Sequence, residues 1–234
     1  MTRDARHRAT IEDLARRLEP MRRLGPPGRR TGGWGAVVAA LATGLAAVAD
    51  LSDLAGRIRA MPEIGLMLAG SALTAVAAAA AAVLTGLPDR GPRWAVLALP
   101  PAAIWFGAGA VAAFNGPAMG RDPATLPASA ACLTFILGVA VPIALVLCEV
   151  VRRSHPLSPH LTGALVGLAA AAAAATLVAL FHPYRPSLAD LAVHVAAVLL
   201  ITGVAAAAGR RLLTEPRSGE SLVAAPGPGR AGLD

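Results

Sequence analysis

Six apolar runs, residues 34–49, 64–87, 94–114, 128–151, 161–181 and 188–209, dominate this chain. A helix needs roughly twenty such residues to cross the hydrocarbon of a bilayer, and in that solvent every backbone N–H and C=O must be bonded within the protein. The pattern predicts an all-α membrane protein with six transmembrane helices. Composition agrees: 56% of residues are hydrophobic and 15% charged, with a mean hydropathy of +0.60, far from the balance of a water-soluble domain. The first run is the shortest. The third carries Pro100 and Pro101, which predict an irregular start or a kink, and Pro142 gives the fourth a place to bend.

Orientation follows from arginine, since positive residues beside span ends stay cytoplasmic. The chain has no lysine, a bias read first as composition rather than chemistry. One side holds the nine arginines from Arg3 to Arg30, then Arg90, Arg93, Arg152, Arg153, Arg210, Arg211, Arg217 and Arg230; the other holds only Arg57, Arg59, Arg121 and Arg185. An odd number of spans would spoil that alternation. Both termini are therefore expected in the cytoplasm. The net charge of +7 does not point to nucleic acid, because the arginines are clustered between apolar runs and only 3% of residues are aromatic.

The chain divides into a cytoplasmic segment 1–33, a bundle 34–209 and a cytoplasmic tail 210–234 that reads as disordered from Thr214 onward. A secretory signal is not expected, since the first apolar core begins only near Trp34. Within the bundle, "SALTAVAAAAAAV" and "GALVGLAAAAAAA" are stretches of small residues that let helices approach closely in lipid.

The polar segment is the unusual part. In "TIEDLARRLEP", Thr10 is placed to cap a helix, with Asp13 three residues on as an acidic variant of the capping box. Ile11, Leu14, Leu18 and Met21 share a face, while Glu12, Arg16, Arg17 and Glu19 lie largely elsewhere, and Pro20 stops the helix. A helix of about ten residues is not stable alone. Its apolar stripe needs the inner leaflet, the protein's own bundle or a groove on a cytoplasmic protein. The glycines and prolines of residues 20–33 suit a tether that presents such a segment.

Catalysis has no footing: HExxH, GxSxG and facing carboxylates within the spans are all missing from the sequence. A small six-span transporter or channel is the main alternative, yet such proteins place ionisable groups in mid-membrane. Here Asp50, Glu149 and His194 lie toward span ends, and Glu149 is spaced to pair with Arg152 or Arg153. Cys132, His182 and His194 fall at a similar depth near the outer face, with Asp190 beside them. A thiolate and imidazoles at one level can bind a soft or borderline metal ion or tune a thiol for oxidation. Taken singly, each also has an ordinary packing or interfacial reading. No cofactor is expected beyond a metal ion acting as a signal.

The motifs "LEPMRRLGPP" before the first run, "CLTFILGVAVPIALVL" in the fourth, "LTGALVGLAA" opening the fifth, "LFHP" at its end, a histidine in the sixth and "GRRLL" closing it occur in this order. Together, over residues 11–213, they resemble the NrsF family, negative regulators of sigma factor F. The resemblance implies a six-span inner-membrane anti-sigma factor whose cytoplasmic N-terminal segment holds an extracytoplasmic-function sigma factor until a stress signal arrives. On that reading Leu14, Leu18, Arg22, Arg23 and Leu24 are the expected sigma-factor contacts, although Arg22 and Arg23 serve equally well as topology determinants. Members commonly carry a cysteine at the position of Cys132 and another directly after the histidine of the fifth loop. Here Pro183 follows His182. A thiol pair is therefore ruled out at that site, leaving Cys132 alone or a metal site with His182, His194 and Asp190.

Overall fold

A computed structural model describes residues 3–17, 25–87, 89–115, 126–181 and 186–214, and all regular structure among them is helical. The helices are α1 (Arg3–Arg17), α2 (Pro27–Ala46), α3 (Leu51–Ala60), α4 (Pro62–Thr85), α5 (Leu99–Asn115), α6 (Leu126–Arg152), α7 (Pro159–Val178) and α8 (Leu188–Thr214). A 3-10 turn, Pro92–Ala98, leads into α5. This is the irregular start that Pro100 and Pro101 predicted. Pro142 sits inside α6, which continues through it as one helix.

Five of these units are long and apolar enough to cross a membrane: α4, the continuous stretch Pro92–Asn115, α6, α7 and α8. The sixth run behaves differently. α2 starts at Pro27, so Arg29 and Arg30 belong to the helix, and after Ala46 the chain turns by 99° into α3. Only the bent pair taken together passes as a sixth span. The turn has a local cause. Asp50 accepts hydrogen bonds from the backbone N–H of Ser52 and of Asp53, both at 3.0 Å, and so caps a new helix in a new direction.

α1 also differs from expectation. The helix begins at Arg3 and runs through Thr10, which is therefore not its N-cap. The reason is the upstream "RDARHRA", rich in alanine and arginine, which favour helix strongly enough that it does not wait for a cap at Thr10.

Helix α7 is the axis of the bundle. Alanines 169–175 are all buried, together with Leu165, Val166, Leu177 and Val178, and their neighbours include the buried alanines of α4. Small side chains here exchange hydrophobic volume for proximity. A Cβ built on Gly167 would lie 2.8 Å from both Ala205 Cβ and Thr202 Cα, and one on Gly70 would lie 2.7 Å from the Trp105 backbone nitrogen. Gly163 and Gly209 likewise face the Ala205 and Pro159 carbonyls across the α7–α8 seam. By contrast, the only buried side chain of α2 is Trp34, and a Cβ on Gly32, Gly33, Gly35 or Gly44 would meet nothing within 4 Å.

The Gly167→Val substitution is therefore expected to lower unfolding stability in detergent by about 1–3 kcal/mol through overpacking. Gly32→Ala should leave stability unchanged or slightly raised. Unfolding midpoints in a denaturing-detergent titration check both.

Candidate functional site

Helix ends sort the polar side chains into two groups at opposite ends of the bundle. At the end where α2 begins lie Arg29 and Arg30, the α4–α5 link with Arg90 and Arg93, the end of α6 with Arg152 and Arg153, and the end of α8 with Arg210 and Arg211. At the other end are Arg57 and Arg59 of α3. Arg121 and Arg185 lie outside the described residues.

At the first end, α1 leaves its apolar stripe open: Ile11 is 65% and Leu14 59% exposed. Arg16 turns back toward Glu12 at 3.9 Å along the same helix. Leu18, Arg22, Arg23 and Leu24 fall outside the described residues. The start of α2 is fastened to α6. Arg30 donates from Nη2 to the Val150 carbonyl and, at 3.0 Å, to Ser154 Oγ, while Trp34 Nε1–H donates to the Ile143 carbonyl at 3.2 Å. Glu149 pairs with Arg152 at 3.0 Å and Arg153 at 3.5 Å, as its spacing predicted.

At the opposite end α3 presents Leu54 and Arg57 inward. Arg57 is only 5% exposed, an unusual place for a guanidinium. Two interactions offset its desolvation: Nε lies 3.0 Å from Asp53 Oδ2, and Nη2 donates to the Ala179 carbonyl at 3.2 Å. Ala179 is the C-cap of α7, where unpaired carbonyls and the helix dipole favour a cation. Beside Arg57 is a cavity of about 60 Å³, walled among others by Ser71, Trp105, Phe106, Asp190 and His194. That is space for about four water molecules. Trp105 and Phe106 stack at 4.6 Å, and Ser71 Oγ hydrogen-bonds Thr176 Oγ1 at 2.8 Å.

His194 Nδ1 is 2.9 Å from the Asp190 carbonyl and 3.5 Å from its Oδ1. A carbonyl only accepts, so Nδ1 carries the proton in this contact and donates it to Asp190. Cys132 has a different setting: it is buried within the main core and does not line the cavity. Cys132 and Cys148 both lie on α6 and are not in a disulfide. His182 lies outside the described residues. Among those described, no group of three or more His, Cys, Asp or Glu side chains could hold a metal ion, so only the His194–Asp190 pair of the expected sensor set is seen in contact.

Sequence reading missed Arg30, Trp34 and Arg57 as structural fasteners. For Arg57 a signal was present, because Asp53 stands four residues before it, the spacing of a helical ion pair. Nothing local foretold the Ala179 carbonyl as its second partner.

A family profile described as NrsF, negative regulator of sigma F, matches residues 14–214. The chain belongs to this family. No curated protein and no solved structure matches the chain. The NrsF match starts at Leu14 on the exposed stripe of α1 and runs to Thr214, where α8 ends, so segment and bundle fall within one family unit. NrsF is a family of regulators rather than a class of enzymes.

The Asp50 cap yields a pH dependence. The Ser52 hydroxyl, which donates to Asp50 Oδ1 at 2.6 Å, and then the Asp53 N–H hold its carboxyl below the ordinary aspartate range. A depressed folded-state pKa means that the cap stabilises above the unfolded value of about 3.9 and is lost as pH falls through the lower, folded value. Amide protection over α3, corrected for intrinsic exchange, should therefore be flat above pH ~5 and decline below pH ~4. In Asp50→Ala protection should be low throughout, whereas Asp50→Asn should retain most of it without the pH step.

Proposed function

We propose that this chain is a membrane-embedded anti-sigma factor that holds an extracytoplasmic-function sigma factor at the cytoplasmic face and releases it on an envelope, metal or oxidative stress signal. The observation that carries the reading is the open apolar stripe of α1, with Ile11 and Leu14 uncovered on a helix too short to be stable by itself. A helix of this kind gains its order by docking into a groove. Family membership supplies the class of partner.

On this reading segment 1–33 is the ligand, with Leu14, Leu18, Arg22, Arg23 and Leu24 as its contacts, and the arginine-rich end of the bundle faces the cytoplasm. The bundle anchors the partner away from RNA polymerase and carries the input from the other face, where Cys132, His182 and His194 form the candidate sensor. The transporter reading is weaker. The cavity beside Arg57 is small and sits at the end of the bundle where α3 crosses it, not at mid-depth where transporters bind their substrates.

Full-length protein in nanodiscs should bind the sigma factor encoded beside it saturably. Leu14→Asp/Leu18→Asp should weaken that binding at least about a hundredfold, the loss expected when two buried anchors become charged. Titration by isothermal calorimetry decides it. Binding that survives the double substitution would remove the segment from the interface.

A further inference from the structure

Helix α2 is the element that joins segment 1–26 to the bundle, and it is the least embedded of the long helices. Trp34 is its only fully buried side chain, Val38, Ala42 and Leu45 pack half-buried against the core, and its glycines abut open space, whereas Gly163, Gly167 and Gly209 of the α7–α8 seam lock backbone against backbone. Something besides this sparse packing must help to hold it. Two arginines do so, and they do it in the same way. Arg30, at the start of α2, donates to the Val150 carbonyl in the last turn of α6. Arg57, on the α3 arm reached through the 99° turn, donates to the Ala179 carbonyl that caps α7. Each cation thus sits on the negative end of a helix dipole. Between them Trp34 Nε1 holds the Ile143 carbonyl of α6.

The two fasteners differ in what surrounds them. Arg30 lies beside the chain that leads to α1. Arg57 forms a wall of the cavity at the opposite end, together with Asp190 and His194. A change in that cavity bears on Arg57 directly, and α3 is otherwise held by Leu54, its one other buried side chain, and by half-buried Ile58 against Met61, Ile64 and Ala112.

We propose that α2 and α3 form a jointed lever, latched by Arg57 at the outer end of the bundle and by Arg30 at the inner end, and that opening the Arg57 latch is what releases the sigma factor from segment 1–26. The inference rests on the anti-sigma reading above and adds its transmission route. Signal chemistry at the outer face acts by loosening Arg57 from Asp53 and Ala179. The α3 arm then lifts, and α2, no longer pinned at that end, shifts against α6 and draws the segment out of its sequestering posture. A two-state element biased at both ends is the physical requirement for such coupling.

The test uses full-length protein in nanodiscs, wild type against Arg57→Met and Arg57→Lys, with sigma-factor affinity and deuterium uptake by helix measured on each. Arg57 lies across the bundle from the segment, so no direct contact with the sigma factor can explain an effect. The Met variant should bind roughly tenfold or more weakly, with uptake raised over Pro27–Ala46 and unchanged over Pro159–Val178. The Lys variant, which can still donate to Ala179, should recover much of both. Unchanged affinity in Arg57→Met overturns the lever. So does a rise in uptake that includes α7, or one that Lys fails to correct, since either makes Arg57 merely structural. If wild type itself fails to bind, the anti-sigma reading falls, and the release step with it.

Discussion

The burial of alanine and glycine along α7 is the constraint on which the remaining architecture depends. A helix with nothing larger than alanine over residues 169–175 offers little apolar volume, and between lipid-immersed helices there is little hydrophobic gain to be had from association. Its advantage is distance. Neighbouring backbones come close enough for dispersion contacts along their whole length, and α8 and α4 settle against it through Gly163, Gly167, Gly209 and the alanines of α4. Once these three helices are in register, the positions of α5 and α6 follow, Gly70 against Trp105 setting the first.

The same economy explains why α2 is held by hydrogen bonds. It has no small-residue seam like that of α7, and Trp34 is the one bulky side chain that it buries fully. What remains are donors at its start, Arg30, and on the α3 arm beyond it, Arg57, and the acceptors within their reach are carbonyls where α6 and α7 stop. An arginine there removes two problems at once, an unsatisfied carbonyl and a cation in need of a partner. Such contacts are directional and local, and a single change in charge or geometry can undo them. Close-packed seams lack that property, which is why regulation is better sited at the arginines than along α7.

Function resides in the contrast between the rigid seam and the exposed arm. Ile11 and Leu14 stay uncovered on α1, a liability in an isolated protein and an asset in one that binds a partner. Membership of a family of negative regulators of sigma F is what the proposed docking of that stripe rests on. The cavity at the opposite end of the bundle, walled by a buried arginine, a carboxylate and an imidazole, lies against α3 and is where the proposed release step takes its input.

The sequence alone determined the all-helical class, the helix positions to within a few residues for α4 to α8, the Glu149 pairing and the family, because each depends on local periodicity, composition or motif order. It could not determine how the first run ends. The run 34–49 reads as a span, and only the Asp50 cap, seen in place, turns it into α2 and the crossing arm α3. Nor could it show that Thr10 sits inside α1, because the three arginines and two alanines of residues 3–9 outweigh one capping residue. Tertiary structure alone decided that Arg57 is buried, that its partner is a carbonyl of α7, and that Cys132 faces the core while His194 faces the cavity. Those facts join residues more than a hundred positions apart. Sequence spacing encodes which face of a helix a residue occupies, but which neighbour that face meets is settled by how the helices pack.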